Sequence, residues 1–343
     1  MSSKNLAKAA ILMVVIVLAV LISWELTLRN RKVSVSYDEG GALWAYVRGK
    51  VYDANSTIFI GSSRIKYDLD AEGWENTTGD HAVILACQGS SPLPVLDNLA
   101  ADEKFKGRLI IDVTEGLFFS NAANAADVPN KGIEYYKDMT PAKRASFELN
   151  KMVESNIRFL DDKNYSINAR LDQMMLKNRP GVFRPPVFPE GFSETQLSRQ
   201  NKMTTTFLAD TSLQNQVKGI WAAMRAMNRR PPPNGPVLDS IVNSVKMATD
   251  RIKARGGQIL FVRTPASGPM WAGEQAAFPR EKFWDRVLEA TGSPGIHFAD
   301  YVSTDHFQCP EFSHLSPSDA TIYTQELIKI LLLEKGWKFP KLP

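Results

Sequence analysis

Gly61-Ser62-Ser63-Arg64 places two hydroxyls and a guanidinium directly behind the apolar run Ser56-Thr57-Ile58-Phe59-Ile60. A serine is a weak nucleophile until a base takes its proton and an acid orients that base. The chain has four histidines, so the base can be sought by elimination. His81 and His297 each stand at the start of a predicted strand, the end away from the carboxyl-edge loops, which reads as a structural role. His306 and His314 share the loop before the last predicted helix. Glu311 lies three residues before His314, so one turn of backbone can bring carboxylate and imidazole to the same side. Asp305 adjoins His306, and neighbouring side chains point apart. One of the two serines is thus the candidate nucleophile, with His314 the base and Glu311 the acid. The plainer readings are a Gly-Ser-Ser turn and a surface loop whose histidine covers the last helix.

Such a trio needs a scaffold that brings distant segments to one edge. Ser56–Ile60 reads as a buried strand, followed by strands at Ala82–Ala86, Arg108–Val113 and Gln258–Arg263, with a short fifth at Ile296–Ala299. Small-residue loops follow the strands: Cys87-Gln88-Gly89-Ser90-Ser91-Pro92, Thr114-Glu115-Gly116 and Thr264-Pro265-Ala266-Ser267-Gly268. Helices are predicted over Val95–Phe105, Val237–Arg255, Arg280–Ala290 and from Ser316 onward, the last opened by a serine cap and Pro317. Strand, loop and helix in alternation imply an α/β fold, three-layer α/β/α with a mostly parallel central sheet. Ligands of such sheets bind at the carboxyl ends of the strands. The alternation stops near Ser120. Residues 121–236 show no clear buried strand and read as a helical insertion or cap, with helices near Pro141–Phe159, Ile167–Leu176 and Leu213–Ala226 and two proline-dense stretches, Asn178–Phe192 and Arg229–Pro236. The core domain is then 56–120 with 237–343, preceded by a linker and edge segment over 29–55.

Gly61-Ser62-Ser63 after the first strand, Gly89 after the second, and Glu311-x-x-His314 before the last helix resemble the SGNH (GDSL-type) hydrolase superfamily. The resemblance covers about residues 56–119 and 237–335 and implies that Ser63 is the nucleophile and His314 the base. It implies an oxyanion hole from the backbone N–H groups of Ser63 and Gly89. The third block of that family supplies an asparagine; here Thr114-Glu115 stands in its place, and Thr114 could donate instead. Ser62 replaces the acidic residue of the first block, and Glu311 replaces an aspartate. These departures are similar to the membrane-anchored branch that includes alginate O-acetylation and teichoic-acid D-alanine transfer proteins. That branch implies action outside the cytoplasmic membrane beside a multi-span membrane-bound O-acyltransferase. Arg64 and Arg263, at predicted strand ends, could bind an anionic sugar or an acyl carbonyl, or simply bond loop carbonyls. Cys87 and Cys309 would border one site under this resemblance, so a bridge between them and a buried Cys87 with a separate loop thiol at Cys309 both stay open.

Composition limits the alternatives. A net charge of +4 without a basic stripe argues against nucleic acid, and two cysteines offer no zinc spacing. No phosphate loop, dinucleotide fingerprint or Gly-x-Ser-x-Gly elbow is present, and neither a cofactor nor a metal is expected. Ala9–Trp24 is almost wholly Ala, Ile, Leu, Met and Val, and residues 9–28 are long enough to span a bilayer, which needs about 20. A cleaved signal peptide competes with this reading, but no small-x-small site follows the apolar run. The expectation is a signal-anchor with residues 1–8 as a cytoplasmic tail and the bulk of the chain exported, in a bacterial cytoplasmic membrane. The function expected is O-acyl transfer or ester hydrolysis on a cell-envelope or secreted polysaccharide. The alternative is an inactive relative that binds glycan or scaffolds an acyltransferase complex.

Overall fold

A computed structural model describes residues 3–174, 187–227 and 230–342. Five parallel strands form one sheet: β1 (Ser56–Ile60), β2 (His81–Ile84), β3 (Arg108–Asp112), β6 (Gln258–Arg263) and β7 (Gly295–His297), in the order β2-β1-β3-β6-β7. Two short strands, β4 (Ser193–Thr195) and β5 (Asn201–Met203), form a separate antiparallel hairpin. All five sheet strands were legible in the sequence as short β-branched and apolar runs. The hairpin was not: it lies inside 121–236, the stretch read as a helical insertion or cap with no clear buried strand.

Period-two alternation divides the sheet into two buried faces. Phe59 pairs in register with Ile84 and Ile110, and Ile110 with Leu260, so these four side chains share one face. They enter one core with Ile65, Trp74, Tyr323, Leu327 and Leu331, the last three carried by the helix Pro317–Leu333. Ser316 caps that helix by accepting the Asp319 N–H, as its sequence predicts. On the opposite side, the helix Gly235–Ala254 packs on β6 and against the helices Leu93–Ala101 and Trp284–Thr291. Both faces being covered explains why the strands read as continuous apolar runs rather than alternating ones.

The strand order places a topological switch between β1 and β3: the chain leaves β1 toward β2 and leaves β3 toward β6. Loops diverging at a switch leave a crevice at the carboxyl edge. Gly61 ends β1 in this crevice. A Cβ there would meet the Asp112 Cβ at 2.6 Å, so only glycine allows the two strand ends to close up.

The chain divides into two compact units, Met1–Asp38 with Pro141–Glu190, and Glu39–Thr140 with Gly191–Pro343. The boundary falls inside the segment read as one insertion, so its residues divide between the two units. Residues 121–140 and 191–227 belong to the unit that carries the sheet. The other unit holds the helix Ser3–Asn30, which is long and apolar enough to cross a membrane. Within that unit the helices Pro141–Glu154 and Ile167–Gln173 start where expected; the first ends short of Phe159, and Leu176, the expected end of the second, lies outside the described residues. Most of the proline-dense stretch 178–192, and the start of 229–236, lie outside the described residues.

Candidate active site

Ser63 is the first residue of the short helix Ser63–Asp68, immediately after the β1 turn, and Ser62 caps it by accepting the Arg64 N–H. Its hydroxyl oxygen lies 2.9 Å from His314 Nε2. His314 Nδ1 lies 2.8 Å from Glu311 Oε1, and the same oxygen accepts the His314 backbone N–H at 2.7 Å. An ionised carboxylate can only accept, so Nδ1 carries the ring proton and Nε2 faces Ser63 as the acceptor. The serine, imidazole and carboxylate are thus connected in the order that general-base activation requires. The pair Glu311–His314 is fully buried, and Ser63 is the partly exposed member through which the chain of bonds meets solvent.

The local backbone makes this possible. Phe312, between acid and base, adopts φ +79°, an outlier for a bulky residue. Its carbonyl accepts the Ser267 N–H at 3.0 Å, tying the acid–base loop to the loop after β6. Asp68, at the end of the Ser63 helix, accepts the Leu315 N–H at 2.9 Å and so fixes the residue after the base. The ring of Tyr67 lies against His314, with centroids 4.3 Å apart. Burial, reinforced by the nearby Glu311 charge, pushes the Tyr67 phenol well above its ordinary range, and its hydroxyl bonds Ser193.

Two contributors came from segments without a chemical signature. Trp221, on the helix Thr211–Met227, donates its indole N–H to Glu311 Oε2, so both carboxylate oxygens are held. Phe192, just before β4, packs on Tyr67 at 5.9 Å and on Phe207 at 5.0 Å. A tryptophan in an amphipathic helix looks like any other packing residue, so nothing in the sequence marked it.

Of the two readings open for Arg64 and Arg263, binding substrate or bonding loop groups, the structure shows internal bonds for both, Arg263 to the Thr264 carbonyl among them. Both are buried, and both donate to Glu274 on the helix Gly268–Ala277. Arg263 also donates to Glu115 at 2.8 Å, and Arg64 to the Ser313 hydroxyl at 3.4 Å. Burial pushes the Glu274 carboxyl up, but the two guanidinium groups overcome this and hold it below its ordinary value. The cluster ties β1, β6 and the acid–base loop together beneath the site and leaves neither arginine facing solvent. Thr114 is likewise committed: its hydroxyl lies 2.7 Å from that of Ser62 and 3.0 Å from Asp112 Oδ2, bridging the switch between β1 and β3. Thr114 thus ties the ends of the two strands together. Gly89 follows β2 with φ +59° and open space where a Cβ would stand. Its loop is anchored where the Cys87 N–H bonds the Gly61 carbonyl at 3.1 Å.

The remaining candidates separate cleanly. His306 is exposed in its loop and bonds the Val302 carbonyl rather than Ser63. His297 closes β7 instead of opening it, opposite Arg263 in register, which corrects its expected position at the far edge. It is packed among Trp271, Trp284 and Phe298 and accepts the Ala299 N–H. Cys87 and Cys309 are both buried and free, with no bridge between them in this structure. Among the described residues, no cluster of His, Cys, Asp and Glu could hold a metal ion. A hollow of about 680 Å3 lined by Arg48, Asp97, Asn98, Asp102 and Tyr136 lies apart from all of these residues. No protein-family model matches the chain, and no curated protein matches it.

Proposed function

We propose that this chain is a membrane-anchored serine acyl-transfer enzyme of SGNH type, acting outside the cytoplasmic membrane on a cell-envelope or secreted polysaccharide. The observation that carries the reading is the continuous chain Ser63–His314–Glu311, closed at its acid end by Trp221. In the proposed reaction, Ser63 Oγ attacks the acyl carbonyl carbon as His314 Nε2 takes the hydroxyl proton. Glu311 stabilises the imidazolium that forms. The N–H groups of Ser63 and Gly89 receive the oxyanion; Ser63 opens a helix, where the first N–H groups lack intrahelical acceptors. Collapse releases the leaving oxygen with the proton from His314 and leaves acyl-Ser63. A sugar hydroxyl, or water, then gives its proton to His314 and takes the acyl group, and His314 returns that proton to the leaving Ser63 Oγ. A multi-span O-acyltransferase is the partner that such an anchored donor calls for.

The test uses the full-length protein in detergent with a fluorophosphonate probe and an activated acetyl ester. Wild-type protein should be labelled stoichiometrically and should turn the ester over. Ser63→Ala should lose labelling and lower kcat/KM by about 1,000-fold or more, as serine triads do when the nucleophile is removed. If folded wild-type protein neither labels nor turns over ester, the acyl-serine reading fails and a glycan-binding or scaffold role takes its place. Transfer to added polysaccharide, set against release of free acid, separates transferase from esterase.

A further inference from the structure

Between residues 149 and 171 several apolar side chains stand exposed. On the helix Pro141–Glu154, Leu149, Met152 and Val153 share one face by i, i+3, i+4 spacing. Leu149 is 64% and Met152 63% exposed. The next helix, Ile167–Gln173, leaves Ile167 67% and Leu171 57% exposed. Single exposed leucines are ordinary, but a run of this kind marks a surface that meets something apolar.

What it meets is indicated by where it is tied. The chain between the two helices is bonded to one end of the helix Ser3–Asn30. Glu25 Oε2 accepts the Arg158 and Phe159 N–H groups at 2.8 and 3.3 Å. Arg29 donates to the Asn156 carbonyl at 2.7 Å. Trp24 donates its indole N–H to the Tyr165 carbonyl at 3.1 Å, and Arg170 lies over both aromatic rings at 5.1 and 5.4 Å. A hydrocarbon layer takes about 20 helical residues, so a span beginning after Lys8 ends at about Leu28. The attachment points therefore fall at the membrane boundary, where Trp and Tyr rings and arginine side chains are favoured. An amphipathic helix held at that depth lies in the interfacial plane with its apolar face toward the acyl chains.

We propose that this segment is a lipid-facing collar: the helices Pro141–Glu154 and Ile167–Gln173 lie on the bilayer beside the spanning helix, with Leu149, Met152, Ile167 and Leu171 in the headgroup–acyl boundary. The ligand is the lipid surface itself. The collar rests on the reading of Ser3–Asn30 as a span. It makes that span one part of a broader footing, which limits tilt of the helix and fixes its depth through the Glu25 and Trp24 bonds.

The test is depth-resolved fluorescence quenching of the full chain reconstituted in phosphatidylethanolamine–phosphatidylglycerol vesicles with no other protein. Leu149→Cys, Met152→Cys and Leu171→Cys variants carry an environment-sensitive label, and the unsubstituted protein gives the background from its buried Cys87 and Cys309. Val15→Cys reports the span and Ser212→Cys reports water. The collar predicts blue-shifted emission at 149, 152 and 171, with most of it lost to a spin label near the headgroup. Val15→Cys should be quenched by a spin label deep in the acyl chain, and Ser212→Cys by neither. If Val15→Cys is quenched by the deep label but the three collar positions emit as Ser212→Cys does, the collar is overturned and the span stands. If Val15→Cys escapes the deep label as well, both fall.

Discussion

Glu311 is the residue on which the site turns. One carboxylate receives the His314 ring N–H, the His314 backbone N–H and the Trp221 indole N–H. The first two follow from spacing in a single turn of chain. The third comes from a helix 90 residues away and holds the oxygen that the histidine leaves open. A hydrogen bond to a charged group contributes about 1.5–3 kcal/mol, and each 1.36 kcal/mol is tenfold in rate. Trp221→Phe keeps the ring and removes the donor, so kcat should fall about tenfold with KM unchanged, because the indole acts through Glu311 rather than on substrate. An unaltered kcat in steady-state ester hydrolysis would reduce Trp221 to a packing residue.

At the scale of elements, the hairpin β4–β5 decides how firmly the aromatic wall sits on His314. Its turn places Arg199 at φ +69°, a conformation that disfavours residues with a Cβ. The strain is offset by what the side chain reaches. The buried guanidinium donates to the Ile84 carbonyl at the end of β2 at 2.9 Å and to Glu39 at 3.4 Å, beside Cys87 Sγ. Gln200 adds an acceptor for the Ala71 N–H at 3.1 Å. Through these contacts a three-residue ribbon is fixed to the sheet, and Phe192 and Ser193 are held against Tyr67. Arg199→Met would leave buried polar groups without their donor and should cost about 3 kcal/mol, measured by urea unfolding in detergent. Ester turnover should fall with it as Tyr67 loses Ser193. A destabilisation below about 1 kcal/mol would mean that the hairpin is held by Phe192 and Phe207 packing alone.

For the whole molecule, acid stability is set by groups whose titration burial shifts. Burial, with help from the Arg263 and Arg280 charges, depresses the His297 imidazole to about 3. A base whose folded pKa lies below its unfolded value favours folding above the unfolded value, near 6.5, and that contribution is lost as pH falls toward 3. Asp68 and Asp112 act in the opposite sense: burial raises both carboxyls, so their protonated forms favour the fold at low pH and that benefit fades as pH rises. The melting temperature should therefore decline between pH 6.5 and pH 4 through His297, against the trend of the two aspartates. His297→Asn, which retains an acceptor for the Ala299 N–H, should flatten that decline in a thermal melt series. A decline as steep as wild type would assign it elsewhere.

The sheet and the acid–base pair were legible in the amino-acid order because both are local. A buried parallel strand is a short apolar run, and Glu311-x-x-His314 needs only one turn of chain to meet. The serine's place after β1 was legible for the same reason, since a strand ending in Gly61 has few ways to continue. Tertiary packing alone decided the rest. Ser63 and His314 are 251 positions apart, and the strand order brings them within 2.9 Å. Trp221 and Glu274 became partners of Glu311, Arg64 and Arg263 only through helix packing, which no spacing rule encodes. The same is true of Arg64 and Arg263, whose charge reads identically in a rim and in a buried cluster. β4 and β5 were invisible because Ser-Glu-Thr and Asn-Lys-Met carry no apolar alternation; they pair with each other, and Arg199 bonds the sheet at Ile84 while Gln200 bonds the helix that starts at Ala71. His297 was misplaced by one strand end, since a three-residue strand leaves no room for the sequence to show which of its ends faces the site.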